Sequence, residues 1–259
     1  MAALDVPSGL HPLARTLPSG RSLVLGFALI AIALGLYVAA RGTSVFAVQE
    51  VEVQGAPPRV AAEVQAALER PLEGASLLEV SQADIDRALV GVPDVQATGY
   101  DRAFPQTLRV SVFAERPVAV LRRGADAWLV SERGRVLREL GPERPAALPR
   151  IWVAQLAAPA DGTLLRDEDA FRPAVALGAV LAGDPEFLRR IREARLREGE
   201  VDLVLRSGVE VLLGPPRDVP LKAAVAQEVL AALPGANGGY LDVSVPERAV
   251  ANVQSQVSG

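Results

Sequence analysis

The chain has 259 residues, with 27 basic and 31 acidic side chains, one histidine and no cysteine, and half of it is hydrophobic. Without cysteine there are no thiolate nucleophiles and no Zn–S sites. A net charge of −4 with no cluster of positive residues argues against a nucleic-acid surface. The single histidine, His11, lies in the first 22 residues, so nothing after them has an imidazole for general-base, proton-shuttle or metal work.

Leu23 to Ala40 reads LVLGFALIAIALGLYVAA, eighteen positions without a charge. Its strongly apolar residues each contribute about −0.3 to −0.6 kcal/mol near a bilayer centre. At 1.5 Å per residue the run spans about 27 Å, close to a hydrocarbon core of about 30 Å. A secretory signal has a shorter apolar region and a small-residue cleavage site, which Ala39-Ala40 before Arg41 does not supply. A buried core helix would carry a polar residue or two, and nothing here is more polar than Tyr37. The segment is therefore expected to be an uncleaved single-pass anchor. Arg15, Arg21 and the α-amino group precede it and Arg41 follows, a small positive-inside bias. That bias makes residues 1–22 a cytoplasmic tail and everything after 40 extracytoplasmic. The exported part holds 25 basic against 30 acidic residues and is mildly acidic.

After the anchor, Val51 and Val53 alternate with polar residues as in a half-buried strand, ended by Gly55 and Pro57-Pro58. Arg59 to Arg70 puts Val60, Val64, Ala67 and Leu68 on one helical face, with Pro71 as its stop. Ser81 opens a second helix with Asp84 three residues on, a near capping box, and Gly91 and Pro93 close it. Strands follow at Val95–Arg102 and around Leu108, Val110 and Val112, joined by a turn at Pro105-Gln106. The order β-α-α-β-β predicts two helices layered on a three-stranded sheet.

Several segments come in a recognisable order. They are F-x-V-x-x-V-x-V-x-G at Phe46–Gly55, Leu77-Leu78, V-P-x-V at Val92–Val95, R-x-F-P-x-T-L-x-V at Arg102–Val110, and Glu115-Arg116-Pro117-Val118-Ala119. Together they resemble the POTRA domain of the FtsQ/DivIB family of bitopic bacterial cell-division proteins. The family often has aromatics at the positions of Asp94 and Ala103, and their loss here implies weaker local packing.

The rest is mostly strands. Short runs at Val118–Arg122 and Trp128–Val130 lead to a turn at Glu132-Arg133-Gly134 and a strand at Arg135–Leu140. Pro142 and Pro145 mark a loop, Leu148-Pro149-Arg150-Ile151 resembles a family step, and Leu156–Leu165 reads as loop. Ala170 to Ala182 predicts a helix with Pro173 in its first turn. Asp167-Glu168-Asp169 reads as its N-terminal acids, which the helix dipole favours there, and not as a catalytic cluster. Asp184-Pro185 predicts an N-cap, with strand from about Ile191. Val201–Leu205 and Val209–Leu213 form a hairpin around Ser207-Gly208, and Leu221–Leu233 is a helix. Gly214 with Lys222 resembles the family's V-x-L-G…K segment. The last strand is Tyr240–Val245, with Leu241, Val243 and Val245 on one side and Tyr240, Asp242 and Ser244 on the other. It resembles the family's Y-x-D-x-R strand, with Ser244 where Arg is common.

The expected fold class is α+β: an N-terminal transmembrane helix, a POTRA domain and a mixed-sheet β domain with a few helices. The expected divisions are a tail 1–22, a span 23–40, a POTRA domain 46–116, a β domain 117–253 and a C-terminal tail 254–259. The resemblance implies a non-catalytic divisome scaffold of the cytoplasmic membrane, concentrated at the septum and needed for septum assembly, with no cofactor or metal. It implies FtsB binding by strand addition at the terminal edge with FtsL alongside, and FtsK and FtsW as further partners. The residues expected at that edge are Tyr240, Leu241, Asp242, Val243, Ser244, Val245, Arg248 and Val250. An anchored cell-envelope enzyme working through carboxylates, or a POTRA-containing outer-membrane assembly or secretion factor, is the alternative. A barrel of many alternating strands would mark the latter, and the chain carries none.

Overall fold

The computed structural model describes residues 20–41, 44–141 and 148–255. The tail up to residue 19, the loop of Pro142 and Pro145, and the end beyond 255 lie outside them. The first element, α1 (Gly20–Arg41), is a 22-residue helix. Its side chains are described from Val24 to Val38, and among the described residues no helix is long and apolar enough to cross a membrane. Every large apolar side chain in that stretch is exposed, between 46% and 72%.

A 3-10 turn at Ser44–Phe46 leads to β1 (Glu50–Gln54). Then come α2 (Pro58–Leu72), α3 (Gln82–Ala88), β2 (Val95–Ala103) and β3 (Thr107–Ala114). The sheet order is β1-β3-β2, with β1 parallel and β2 antiparallel to β3. In α2, Val60, Val64, Leu68 and Leu72 are buried at every fourth position. Each such side chain contributes about 1.5–3 kcal/mol relative to leaving it in water. Pro71 does not stop this helix. It sits in the last turn, where a missing N–H forfeits one bond, and the buried Leu72 carries the helix one residue past it. The α3 box forms as expected, the Asp84 carboxylate accepting from the Ser81 N–H at 3.1 Å and its hydroxyl at 2.6 Å. Asp94 fills its place differently from an aromatic. It is buried and takes a 2.6 Å ion pair from Arg59, so an electrostatic contact stands where packing was expected to be lost.

The second sheet has nine strands in the order β12-β11-β10-β9-β8-β7-β4-β5-β6. They are β4 (Pro117–Arg123), β5 (Asp126–Ser131), β6 (Val136–Glu139), β7 (Arg150–Trp152), β8 (Ile191–Arg197), β9 (Glu200–Leu205), β10 (Glu210–Gly214), β11 (Ala236–Asp242) and β12 (Val250–Ser255). Three helices accompany it: α4 (Glu168–Gly183), α5 (Pro185–Arg190) and α6 (Val219–Ala232). One apolar core joins inward residues of α4, α5 and α6 to alternate positions of the strands, among them Leu121, Leu177, Leu203, Val211 and Leu241. Asp167 caps α4 by accepting from the Ala170 N–H at 3.2 Å. Because Asp167 and not a later acid is the cap, the helix begins two residues earlier than predicted and Pro173 lies inside it, beyond the first turn. Asp184 caps α5 as expected, accepting from the Glu186 N–H at 2.7 Å.

The junction between the two sheets is the Glu115-Arg116 pair. The Glu132 N–H donates to the Arg116 carbonyl at 2.9 Å, and the two side chains form an ion pair. Glu115 is buried beside the guanidiniums of Arg135 at 3.4 Å and Arg133 at 3.8 Å. This explains why charged residues sit in an otherwise apolar stretch: they pin the β5–β6 turn to the end of β3.

Candidate binding edge

β10, α6 and β11 form a crossover that lays β11 parallel to β10, with Glu210 beside Tyr240, Val211 beside Leu241 and Leu212 beside Asp242. Lys222, on α6, is buried and donates from Nζ to the carbonyls of Leu213 at 2.7 Å and Pro215 at 2.9 Å. Gly214 has φ +66°, and a Cβ there would lie 2.7 Å from that of Ser244. The glycine and lysine singled out in the sequence thus close the loop after β10 and let Ser244 pack onto it.

β11 ends where the Asp242 carboxylate accepts from the Ser244 N–H at 2.8 Å, an Asx-type turn. The chain reverses through a 3-10 turn at Pro246–Arg248 and returns as β12, antiparallel to β11, from Asp242 beside Val250 to Ala236 beside Ser255. β12 has no neighbour on its outer side among the described residues.

This corrects the sequence-based edge. Tyr240–Val245 is not the margin of the sheet, since β11 is flanked by β10 and β12, and its strand stops at Asp242. Leu241 and Val243 are fully buried and belong to the core. A charge at Val243 would therefore break the fold before it tested a partner. Val245 leaves the expected alternation and is 51% exposed because the strand has already ended. Of the remaining expected residues, Tyr240 (40% exposed) lies on the face away from the helices, Arg248 is in the reversing turn, and Val250 (54% exposed) begins the true edge. Ala251, Asn252, Val253 and Gln254 were missed. Their only sequence signal is apolar Ala251 and Val253 on either side of Asn252, of which only Val253 packs against the core, and Val250 blurs it.

On the face away from the helices, Arg195 donates to Glu210 at 2.7 Å and stands 3.9 Å from Asp202. Burial pushes the Asp202 carboxyl above its ordinary value of 3.8, and Arg197 and Arg195 only partly offset this. The folded protein therefore holds this proton to higher pH than the unfolded chain does. The group costs nothing below about pH 3.8 and costs stability as pH rises through its folded value. Asp202→Asn should gain on the parent as pH goes from about 3.5 to 7, read from urea midpoints at both ends. A constant difference across that range would contradict it.

A groove of about 550 Å³ lies between α4 and α6, lined by small side chains such as Ala179, Ala223 and Ala231. Of its acids, Asp184 is engaged in capping α5. Among the described residues no group of three or more His, Cys, Asp or Glu is placed to hold a metal ion.

Residues 119–244 match the family described as cell division protein FtsQ/DivIB, C-terminal. The chain belongs to the FtsQ/DivIB family. The match runs from β4 through β11 and ends before β12. Among solved structures, the major extracytoplasmic domain of the trans isomer of the cell-division protein DivIB from Geobacillus stearothermophilus is similar at 19% identity and a TM-score of 0.33. That similarity covers 47% of this chain and 95% of the other. No curated protein matches the chain. Membership of this family assigns the chain to bacterial cell division.

Proposed function

We propose that the protein is a non-catalytic scaffold of the divisome, required for septum assembly, whose unfinished β12 edge receives an extended segment of a partner. The outer side of β12, free among the described residues, carries this reading. An open edge offers unpaired N–H and C=O groups, so an incoming strand gains main-chain hydrogen bonds while neighbouring side chains supply selectivity. FtsB fits as the added strand, with FtsL alongside, as the family resemblance implies. The protein then acts by holding partners together, without a chemical step of its own.

In the same reading, residues 23–40 cross the cytoplasmic membrane once, with 1–22 cytoplasmic and both α+β modules extracytoplasmic at the septum. The support is physical. A helix apolar on every side, with its large side chains bare, needs a nonaqueous surrounding, and 22 residues of helix reach about 33 Å. Residues 46–116 serve as the POTRA domain and, with the anchor, face further division proteins such as FtsK and FtsW. Residues 117–253 form the FtsQ-type β domain.

Truncation after Ala249 should abolish retention of FtsB–FtsL ectodomains in a pull-down while circular dichroism shows the second module still folded. Val250→Lys should weaken retention through the same edge. Undiminished retention by both folded variants would remove β12 from the interface.

A further inference from the structure

The end of the first sheet nearest α1 carries an exposed apolar cluster. Phe46, in the turn after α1, meets the Phe104 ring edge-on, with centroids 5.7 Å apart and planes at 86°. Phe104 stays 56% exposed and Val45 55%, and none of the three belongs to the core of that module. Strand polarity sets which end this is. β1 and β3 are parallel, Glu50 beside Thr107, so the chain coming from α1 enters the sheet at the end where the β2–β3 turn lies. The Gln49 N–H donates to the Gln106 carbonyl at 3.0 Å and ties the two together. Val90, 83% exposed, precedes β2, whose first residue Val95 pairs with Ala114 at the opposite end of the sheet. Nine strand residues separate those ends by nearly 30 Å, at about 3.3 Å each.

The tether is short. Phe46 follows Arg41, the last residue of α1, by five positions. Extended chain covers at most about 3.3–3.6 Å per residue, and the 3-10 turn rises only about 2 Å per residue. Phe46 is therefore within about 15 Å of the helix end, and Phe104 is one ring contact away. The interfacial layer of a bilayer, about 5–7 Å thick on each side, begins where an apolar span ends.

We propose that Val45, Phe46 and Phe104 seat in the interfacial layer on the side where the chain emerges. The first module then stands on the membrane at its β2–β3 turn and does not swing on a free tether. The proposal rests on reading residues 23–40 as a span. The contact is with the apolar part of the interface and not with anionic headgroups. Glu50 and Glu73 are exposed at the same end, where the Gly74 N–H donates to the Val48 carbonyl. Arg102, beside the turn, is engaged with the Val80 carbonyl and the Tyr100 hydroxyl.

A chain without cysteine suits single-site labelling. Ile30→Cys, Val45→Cys, Val90→Cys and Phe104→Cys would each carry a nitroxide in the full chain, reconstituted in phosphatidylcholine vesicles. Accessibility to oxygen relative to a water-soluble nickel chelate is then measured. The ratio is expected to be highest at 30, and at 45 and 104 several-fold above that at 90. The Val45 label leaves both rings in place, so it reports even if losing the Phe104 ring loosens the turn. A high ratio at 30 with 45 and 104 equal to 90 overturns the seat and leaves the span intact. A ratio at 30 equal to that at 90 overturns the span and the seat with it. Added anionic lipid should lower the ratio at 104, and a rise would overturn the apolar assignment.

Discussion

Gly239→Val is expected to strip β12 from the sheet and abolish capture of an added partner strand. Gly239 has φ +79°, and a Cβ there would lie 2.1 Å from the Asn252 carbonyl oxygen and 2.9 Å from the Val253 Cα. Both obstacles are backbone, so neither can swing aside as a side chain would. Left-handed backbone costs a residue with a Cβ about 1–2 kcal/mol, and a β-branched one more. The clash adds the loss of the β11–β12 ladder, whose register already shifts between Asn237 and Gly239. Leu241 and Val243 remain in the core, so the rest of the module should stay folded. Amide exchange at 250–255 should rise to that of open chain while β9 and β10 keep their protection, and retention of the FtsB ectodomain should be lost. Gly238→Ala is the control. Its φ is +69°, but a Cβ there meets nothing within 4 Å. It pays only the conformational cost and should keep the strand. Parent-level exchange and binding in the Gly239→Val protein would show that β12 is not held as described.

The second large effect lies in the core. Gly178 is buried in α4, and a Cβ there would come 2.5 Å from the Glu132 carbonyl oxygen and 2.9 Å from the Glu132 Cα. Its helix carries Ala174, Leu177 and Val180 into the main core. Leucine at 178 must push α4 away from the β5–β6 turn and open those contacts. Overpacking of this kind costs about 1–3 kcal/mol and sometimes more, and leucine against backbone belongs at the upper end. The urea midpoint of Gly178→Leu should fall steeply. Gly178→Ala should fall less, although alanine favours a helix over glycine by up to about 1 kcal/mol. Gly183, in the same helix, would meet nothing within 4 Å. Gly183→Ala should be neutral or slightly stabilising, and equal losses at 178 and 183 would contradict the close approach.

Local chemistry made most elements legible. The Ser81–Asp84 box and the caps at Asp167 and Asp184 act within three residues of themselves. The alternation of Val201, Leu203 and Leu205 needs only one strand to declare which face joins the apolar core. The misreadings occurred where a local rule met a tertiary demand. Pro71 reads as a stop until Leu72 is needed inside. Tyr240–Val245 reads as a final strand because β12 lacks a clean alternation, and the Asx turn at Asp242 resembles a strand residue in sequence.

The sequence by itself determined most of the element types, the apolar helix at the start, the poverty of catalytic groups and the family pattern, because each depends on neighbours in the chain. Only the tertiary structure decided which strand stands at the margin. Edge position depends on who pairs with whom, as when β7 joins β4 and β8 across long stretches of chain. Backbone hydrogen bonds make those pairings with little regard to side-chain identity, so no single segment records its place in the sheet.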